Sequence, residues 1–169
     1  MSTIAGNGHK GRSSVPISLT VNGDATELEV DTRDTLAWVL RERLGLTGTK
    51  IGCDVQVCGA CAVLADGEVV SACTVLAWQV ANRAVTTIEG LAQGGELHPV
   101  QRSFIEHGGL QCGFCTPGMV MTTLALLDEN PSPTATEIRQ YLAGNLCRCT
   151  GYQSIVSSVL DAVAEGGGG

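Results

Sequence analysis

Three of the eight cysteines in this chain lie within nine residues, and no other feature of the sequence limits the possible folds as strongly. The segment CDVQVCGAC runs from Cys53 to Cys61 in a chain of 169 residues. A disulfide framework, a zinc site, a reactive thiol and an iron–sulfur cluster could each require clustered cysteines. Cysteine spacing and the expected cellular compartment distinguish these four kinds of site.

The first cysteine set has the spacing C-x4-C-x2-C followed by a fourth cysteine after eleven residues. Its members are Cys53, Cys58, Cys61 and Cys73. This is the plant-type ferredoxin spacing for a 2Fe–2S cluster. Such a loop must wrap the cluster and turn backbone N–H groups towards it, and the Gly-Ala pair before the third cysteine permits a close approach.

The second cysteine set combines a C-x2-C motif with a C-x-C motif, 31 residues apart. Its members are Cys112, Cys115, Cys147 and Cys149. Each motif directly precedes a predicted helix, and helix N-termini offer unpaired N–H groups and a partial positive charge. Two helix starts that converge on one anionic cluster would stabilise it.

Compartment and chemistry favour iron–sulfur clusters over disulfides, zinc sites and a reactive thiol. The segment MSTIAGNGHKGRSS lacks the apolar core of about 7–15 residues that a secretory signal needs, so we expect a cytoplasmic protein, in which stable disulfides are rare. Zinc remains the main alternative, because two sets of four cysteines could bind two ions, although zinc sites usually pair C-x2-C with C-x2-C. Nothing near the cysteines indicates a catalytic Cys–His pair.

Charge and hydropathy argue against two further classes of protein. The net charge of −7 disfavours binding to nucleic acid, whose phosphates require a surface rich in lysine and arginine. No apolar run approaches the ~20 residues of a membrane span, so we expect none.

The residues before position 89 predict a compact α+β unit. Alternating apolar residues surround Asn22-Gly23, and the two strand-like runs CAVLAD and EVVSACTV flank Asp66-Gly67, so both dipeptides predict β-hairpins, the second of which would carry Cys73. Apolar residues at helical spacing in DTLAWVLRERLGL predict a helix that Asp34 or Thr35 can cap and Gly45 can end. A further strand over 85–88 would complete a mixed sheet.

From residue 89 onwards the apolar period becomes helical. Predicted helices cover 98–107, a segment that begins at Thr116-Pro117, a segment after the capping box Thr134-x-x-Glu137, and 153–164. Four short helices indicate a small bundle. We therefore divide the chain into a leader over 1–14, two domains over 15–88 and 89–165, and a flexible tail over 166–169.

Four segments of the chain resemble the small iron–sulfur subunit of the molybdenum hydroxylases. They are LTGTKIGCDVQVCGACAV, VTTIEGLA, LQCGFCTPGM and ENPSPTATEIRQYLAGNLCRCTGYQ. That family includes xanthine dehydrogenase, carbon monoxide dehydrogenase, the N-heteroaromatic ring hydroxylases and hydroxybenzoyl-CoA reductase. The resemblance spans nearly all of 15–164. One departure is Gln56, which stands where many members have glycine.

The resemblance implies a fold and a role. The fold would be α+β, with an N-terminal plant-type ferredoxin-like β-grasp domain followed by a C-terminal four-helix 2Fe–2S-binding domain. The chain would pass electrons from a molybdopterin-type molybdenum cofactor, through two 2Fe–2S clusters, to FAD. Gln111 matches the position that hydrogen-bonds the pterin, and Cys149 matches the ligand nearest to it.

The same resemblance implies partners and leaves two alternatives. A large molybdenum-binding subunit and a medium FAD-binding subunit would complete the complex as a dimer of heterotrimers. The chain would be the electron-transfer part of an oxidoreductase and carry no substrate-transforming residue. A stand-alone two-cluster ferredoxin and a zinc-stabilised interaction module are the alternatives.

Overall fold

The computed structural model describes residues 13–166. The leader predicted over 1–14 lies outside the described residues except for its last two positions, and β1 already begins at Ser14, which pairs with Asp31. Of the predicted tail, Gly166 alone is described. No helix within the described range is long and apolar enough to cross a membrane.

The first half of the chain forms a five-stranded mixed sheet. Its strands are β1 (Ser14–Val21), β2 (Asp24–Asp31), β3 (Ala62–Ala65), β4 (Glu68–Ser71) and β5 (Ala84–Thr86). The strand order is β2-β1-β5-β3-β4, and β1 and β5 are the one parallel pair among the described strands. Both predicted hairpins are confirmed: Asn22, Gly23, Asp66 and Gly67 all have positive φ, as a type I′ turn requires.

The helix predicted after β2 is present, but only its first part is α-helical and the rest is a π-helical turn. Helix α1 (Leu36–Trp38) begins where the Thr35 hydroxyl accepts the Trp38 N–H at 3.2 Å. It continues as a π-helical turn over Val39–Arg43, in which the Leu44 N–H reaches back five residues to the Val39 carbonyl. The packed side chains on this segment are fully buried against the sheet: Leu36, Ala37, Val39 and Leu40.

The strand predicted through EVVSACTV is shorter than expected. It ends at Ser71, whose carbonyl accepts hydrogen bonds from the N–H groups of Thr74 and Val75 and so closes a turn. Cys73 therefore lies in this turn and not on a hairpin strand. Short 3-10 turns over Ala77–Val80 and Ile88–Gly90 flank β5 and lead to the second half of the chain.

The second half contains the four predicted helices. They are α2 (Pro99–Glu106), α3 (Thr116–Glu129), α4 (Ala135–Tyr141), which runs into a 3-10 turn over Leu142–Gly144, and α5 (Tyr152–Ala164). The capping box of Thr134 and Glu137 begins α4 as predicted. A separate core holds these helices together, with Phe104, Met119, Leu127, Ile138 and Ile155 fully buried. The predicted α+β class is confirmed.

Candidate iron–sulfur sites

Two cysteines of the first set are anchored in the sheet. Cys61 directly precedes β3, and Cys73 follows β4, the strand that pairs with β3. The Ala72 N–H donates to the Cys61 carbonyl at 3.3 Å, and the two buried thiols interact directly. Burial raises the pKa of the Cys61 thiol to about 12. The raised pKa means that burial makes the thiolate form of Cys61 unfavourable, and a metal bound here would have to offset that free-energy cost.

The other two cysteines of the first set lie on a loop. Cys53 accepts hydrogen bonds from the backbone N–H groups of Val55, of Val57 (3.2 Å) and of Cys58 (3.4 Å), and these bonds lower its pKa to about 6. The loop is therefore shaped to stabilise a thiolate at Cys53. Gln56 has a φ of 59° and its side-chain oxygen accepts the Thr74 hydroxyl at 3.1 Å, which ties the loop to the turn of Cys73.

The second cysteine set lies at the starts of α3 and α5. Cys115 is the N-cap of α3 and interacts with Cys147, whereas Cys112 interacts with Cys149. Burial raises the pKa of Cys115 to about 12, whereas the Phe114 backbone N–H lowers the pKa of Cys112. Each half of the chain thus contains one more buried and one more accessible pair of thiols.

The amide and thiol of Cys147 are both held by the start of α5. Its N–H donates to the Tyr152 hydroxyl at 2.9 Å, and its Sγ accepts the Gly151 N–H at 3.4 Å. The N–H of Gly151, the N-cap residue of α5, is therefore turned towards this thiol.

The paired arrangement of thiols fits two irons better than one zinc. Tetrahedral zinc holds four sulfurs at about 2.3 Å, which places all of them within about 3.8 Å of one another. Within residues 13–166, the one group of three potential ligand atoms that all lie within 4.8 Å of one another is acidic and contains no cysteine. Two irons with two thiolates each need two adjacent pairs of sulfurs. The first set supplies the pairs Cys53–Cys58 and Cys61–Cys73, and the second set supplies the two pairs described above.

Two cysteine-containing loops contact each other directly: the first ligand loop, over residues 52–61, and the second ligand loop, over residues 145–149. The Leu146 N–H, next to Cys147, donates to the carbonyl of Cys58 at 2.9 Å. The Phe114 ring lies against Gly52, where an added Cβ would be 3.4 Å from the ring and 3.1 Å from the Cys58 sulfur. The first set and the second set are therefore parts of one continuous structure.

Comparison with known proteins decides the family. A model described as a 2Fe-2S iron-sulfur cluster binding domain matches residues 19–88, and one described as a [2Fe-2S] binding domain matches residues 87–160. The nicotine 6-hydroxylase small subunit of Paenarthrobacter nicotinovorans is 50% identical over 151 residues, which cover 89% of this chain and 91% of that protein. The chain belongs to the small iron–sulfur subunits of the molybdenum hydroxylases.

Other relatives agree with this membership. The nicotinate dehydrogenase small FeS subunit of Eubacterium barkeri is 44% identical, over 89% of this chain and 96% of that protein. Among solved structures, quinoline 2-oxidoreductase from Pseudomonas putida 86 matches with a TM-score of 0.87 and 49% identity, over 90% of this chain and 94% of that one. This iron–sulfur subunit is therefore part of an oxidoreductase complex, and its role is electron transfer.

The structure places Gln111 beside the second cysteine set. Gln111 is exposed, and its side-chain nitrogen would be 3.5 Å from a Cβ added to Gly151, the residue whose N–H reaches Cys147. Within the described part of the chain, the Gln111 amide makes no hydrogen bond. It is therefore available to a polar group on a partner, whereas a purely capping role would use it locally.

Sequence reasoning missed the residues that join the two ligand loops. Asn145, Gly118 and Phe114 all lie at this junction, and Tyr152 holds the amide of Cys147. Their proximity to the cysteine motifs was visible. The sequence did not show which residues they contact, because each of these contacts except that of Tyr152 joins one half of the chain to the other.

Proposed function

We propose that this chain carries electrons from a molybdopterin-type molybdenum cofactor to FAD through two 2Fe–2S clusters. Cys53, Cys58, Cys61 and Cys73 would hold one cluster. Cys112, Cys115, Cys147 and Cys149 would hold the other. The observation that carries this proposal is that a backbone hydrogen bond from the Leu146 N–H to the Cys58 carbonyl directly connects the two sets of paired thiols. A bound 2Fe–2S cluster supplies reversible one-electron chemistry.

The exposure of the two cysteine sets supports an order for the proposed electron relay. A continuous route of covalent bonds and one hydrogen bond leads from Cys58 to Cys147. It crosses from the Cys58 carbonyl to the Leu146 N–H and then follows the backbone to Cys147. At one end, Gln111 and Cys112 are exposed, which supports an approach of the pterin there, with Cys149 as the nearest ligand. At the other end the loop of Cys53 is exposed, which supports an exit to the flavin.

The partners follow from the same proposal. A large molybdenum-binding subunit would cover the exposed end of the second set, and a medium FAD-binding subunit would cover the first, in a dimer of heterotrimers. The relatives' names support this assembly, because two of them are called small subunits. They give no support to a stand-alone ferredoxin. We also propose a cytoplasmic location, as the sequence predicts.

Native mass spectrometry of the complex, purified from its own cells through a tag on this chain, tests the proposal. We expect two larger chains, one with bound FAD and one with a molybdenum cofactor. A stand-alone ferredoxin would elute without them and still carry iron and sulfide.

Substitution of Gln111 by alanine tests the pterin end of the relay. Both clusters should remain, because Gln111 is not a ligand and holds no other residue in place. Reduction of the clusters by the complex's substrate should slow about fivefold, as expected for loss of one hydrogen bond across the contact. Rapid-mixing spectroscopy of the assembled complex measures this rate.

Gln153→Ala is the matched control for Gln111→Ala. Gln153 is also an exposed glutamine and lies two residues after Gly151, but on α5. Its removal should leave the reduction rate unchanged. If the clusters of the two variants were reduced by substrate at the same rate, Gln111 would be an ordinary surface residue with no part in the relay.

A further inference from the structure

Two neighbouring carbonyls of the first ligand loop accept hydrogen bonds from two neighbouring residues of the second. The Cys58 carbonyl accepts the Leu146 N–H at 2.9 Å, and the Gly59 carbonyl accepts the side-chain Nδ2 of Asn145 at 3.3 Å. The two bonds run side by side across the junction. A shift of one loop along the other would break both.

The Asn145 side chain is fixed at this junction by burial and by hydrogen bonds to two different partners. It is only 5% exposed, and its Nδ2 also donates to the Thr122 hydroxyl of α3 at 3.2 Å. A Cβ added to Gly59 would lie 2.7 Å from the same nitrogen, so the amide and the Gly59 backbone are in tight contact. By contrast, the Phe114 ring is 47% exposed and makes a non-directional contact.

We propose that Asn145 is a positioning residue for electron transfer between the two ligand sets, an inference that rests on the proposed function. Its side chain connects α3, the first ligand loop and the second ligand loop at one point. It thereby keeps the Leu146 N–H aligned with the Cys58 carbonyl. Buried polar groups with directional bonds select one arrangement of two packed surfaces, which apolar packing does less strictly.

Loss of this side chain need not unfold either ligand loop. The Gly59 carbonyl also accepts the Ala62 N–H at 3.2 Å, so the start of β3 keeps its own hydrogen bond. Asn145 is not a thiol ligand, and Cys147 is held separately by Tyr152 and Gly151. The expected defect is therefore a looser junction between two intact cysteine sets.

Asn145→Leu in the purified holo-complex tests the inference. Leucine has a similar volume and no donor, so both clusters should be retained while the junction loosens. Hydrogen exchange at the Leu146 amide should rise about fivefold, as expected for loss of one hydrogen bond. The magnetic interaction between the two reduced clusters should weaken or broaden in EPR, and transfer between them should slow by a similar factor.

Two further variants keep the test decisive. Thr122→Val removes the second acceptor of Asn145 and with it the connection to α3, so it should change all three measurements in the same direction as Asn145→Leu, but by less. Asn145→Ser is too short to reach Gly59 and should repeat the effects of Asn145→Leu, including in a preparation where the leucine variant does not assemble.

The outcomes separate this inference from the proposed function. Unchanged exchange at Leu146 together with an unchanged magnetic interaction, in variants that retain both clusters, would overturn the positioning role alone. A wild-type complex without two 2Fe–2S clusters would overturn the proposed function and this inference with it.

Discussion

Replacement of Cys115 by serine should remove the cluster of the helical half of the chain and stop electron flow through it. Cys115 caps α3 and is paired with Cys147, so its loss leaves one iron with a single thiolate. Iron should fall from about four to about two atoms per chain. Substrate-driven reduction of the remaining cluster should fall by more than about a hundredfold, because the relay has no replacement step.

The first cluster is the internal control for Cys115→Ser. Its ligands belong to the other half of the chain, so its EPR signal should persist when the complex is reduced chemically. Metal analysis and EPR of the assembled variant measure both quantities. Retention of all the iron with normal substrate-driven reduction would contradict the assignment of Cys115 as a ligand.

Substitution of Gly118 by alanine should disturb the packing between the two halves of the chain and so destabilise the protein. A Cβ at this position of α3 would lie 2.1 Å from the Gly59 carbonyl oxygen and 3.1 Å from Ala60 Cα, and both neighbours are backbone. Moving either α3 or the first ligand loop aside would cost free energy, because backbone and not a flexible side chain would have to shift. Overpacking of this kind costs about 3 kcal/mol. The midpoint for thermal loss of the cluster absorbance should therefore fall by about 10 °C.

Gly144→Ala is the matched control for Gly118→Ala. An added Cβ at Gly144 would meet no atom within 4 Å, although the residue lies next to Asn145 at the same junction. Its midpoint should stay within about 2 °C of the wild type. A Gly118→Ala protein as stable as this control would show that the two halves of the chain do not pack as described.

Local features of the fold were predictable because their causes are local. Asn22-Gly23 and Asp66-Gly67 specify hairpins through their own φ preferences, and Thr134 with Glu137 specifies the start of α4. Cysteine spacing likewise predicted two ligand sets; the structure brings thiols of each set together in pairs, and their role as ligands stays a prediction. These signals require no knowledge of distant residues.

Two local predictions gave the right kind of element but missed its course, because tertiary contacts dominate there. The helix after Thr35 becomes a π turn at Val39, because four of its side chains must fit one buried face against the sheet. The strand after Glu68 ends at Ser71, because the Ala72 carbonyl accepts the Ala37 N–H at 2.8 Å and the chain turns there. In both cases tertiary packing overrides the secondary-structure propensity of the local sequence.

The junction between the two ligand loops was beyond sequence reasoning for a different reason. Asn145 and Gly59 are 86 positions apart, and no periodic pattern connects them. Gly118 had no local signal of its tight contact, since glycine early in a helix can serve several purposes. Only the docking of one ligand loop on the other shows why these residue types are needed.

Quantitative EPR of the reduced wild-type complex, combined with iron and acid-labile sulfide analysis, tests the central claim most directly. We expect about four irons and about four sulfides per copy of this chain, and two 2Fe–2S signals of different shape and potential. The signals should differ because one site is a loop on a sheet and the other lies between two helix starts. Zinc without sulfide, or a single 2Fe–2S signal per chain, would contradict the account.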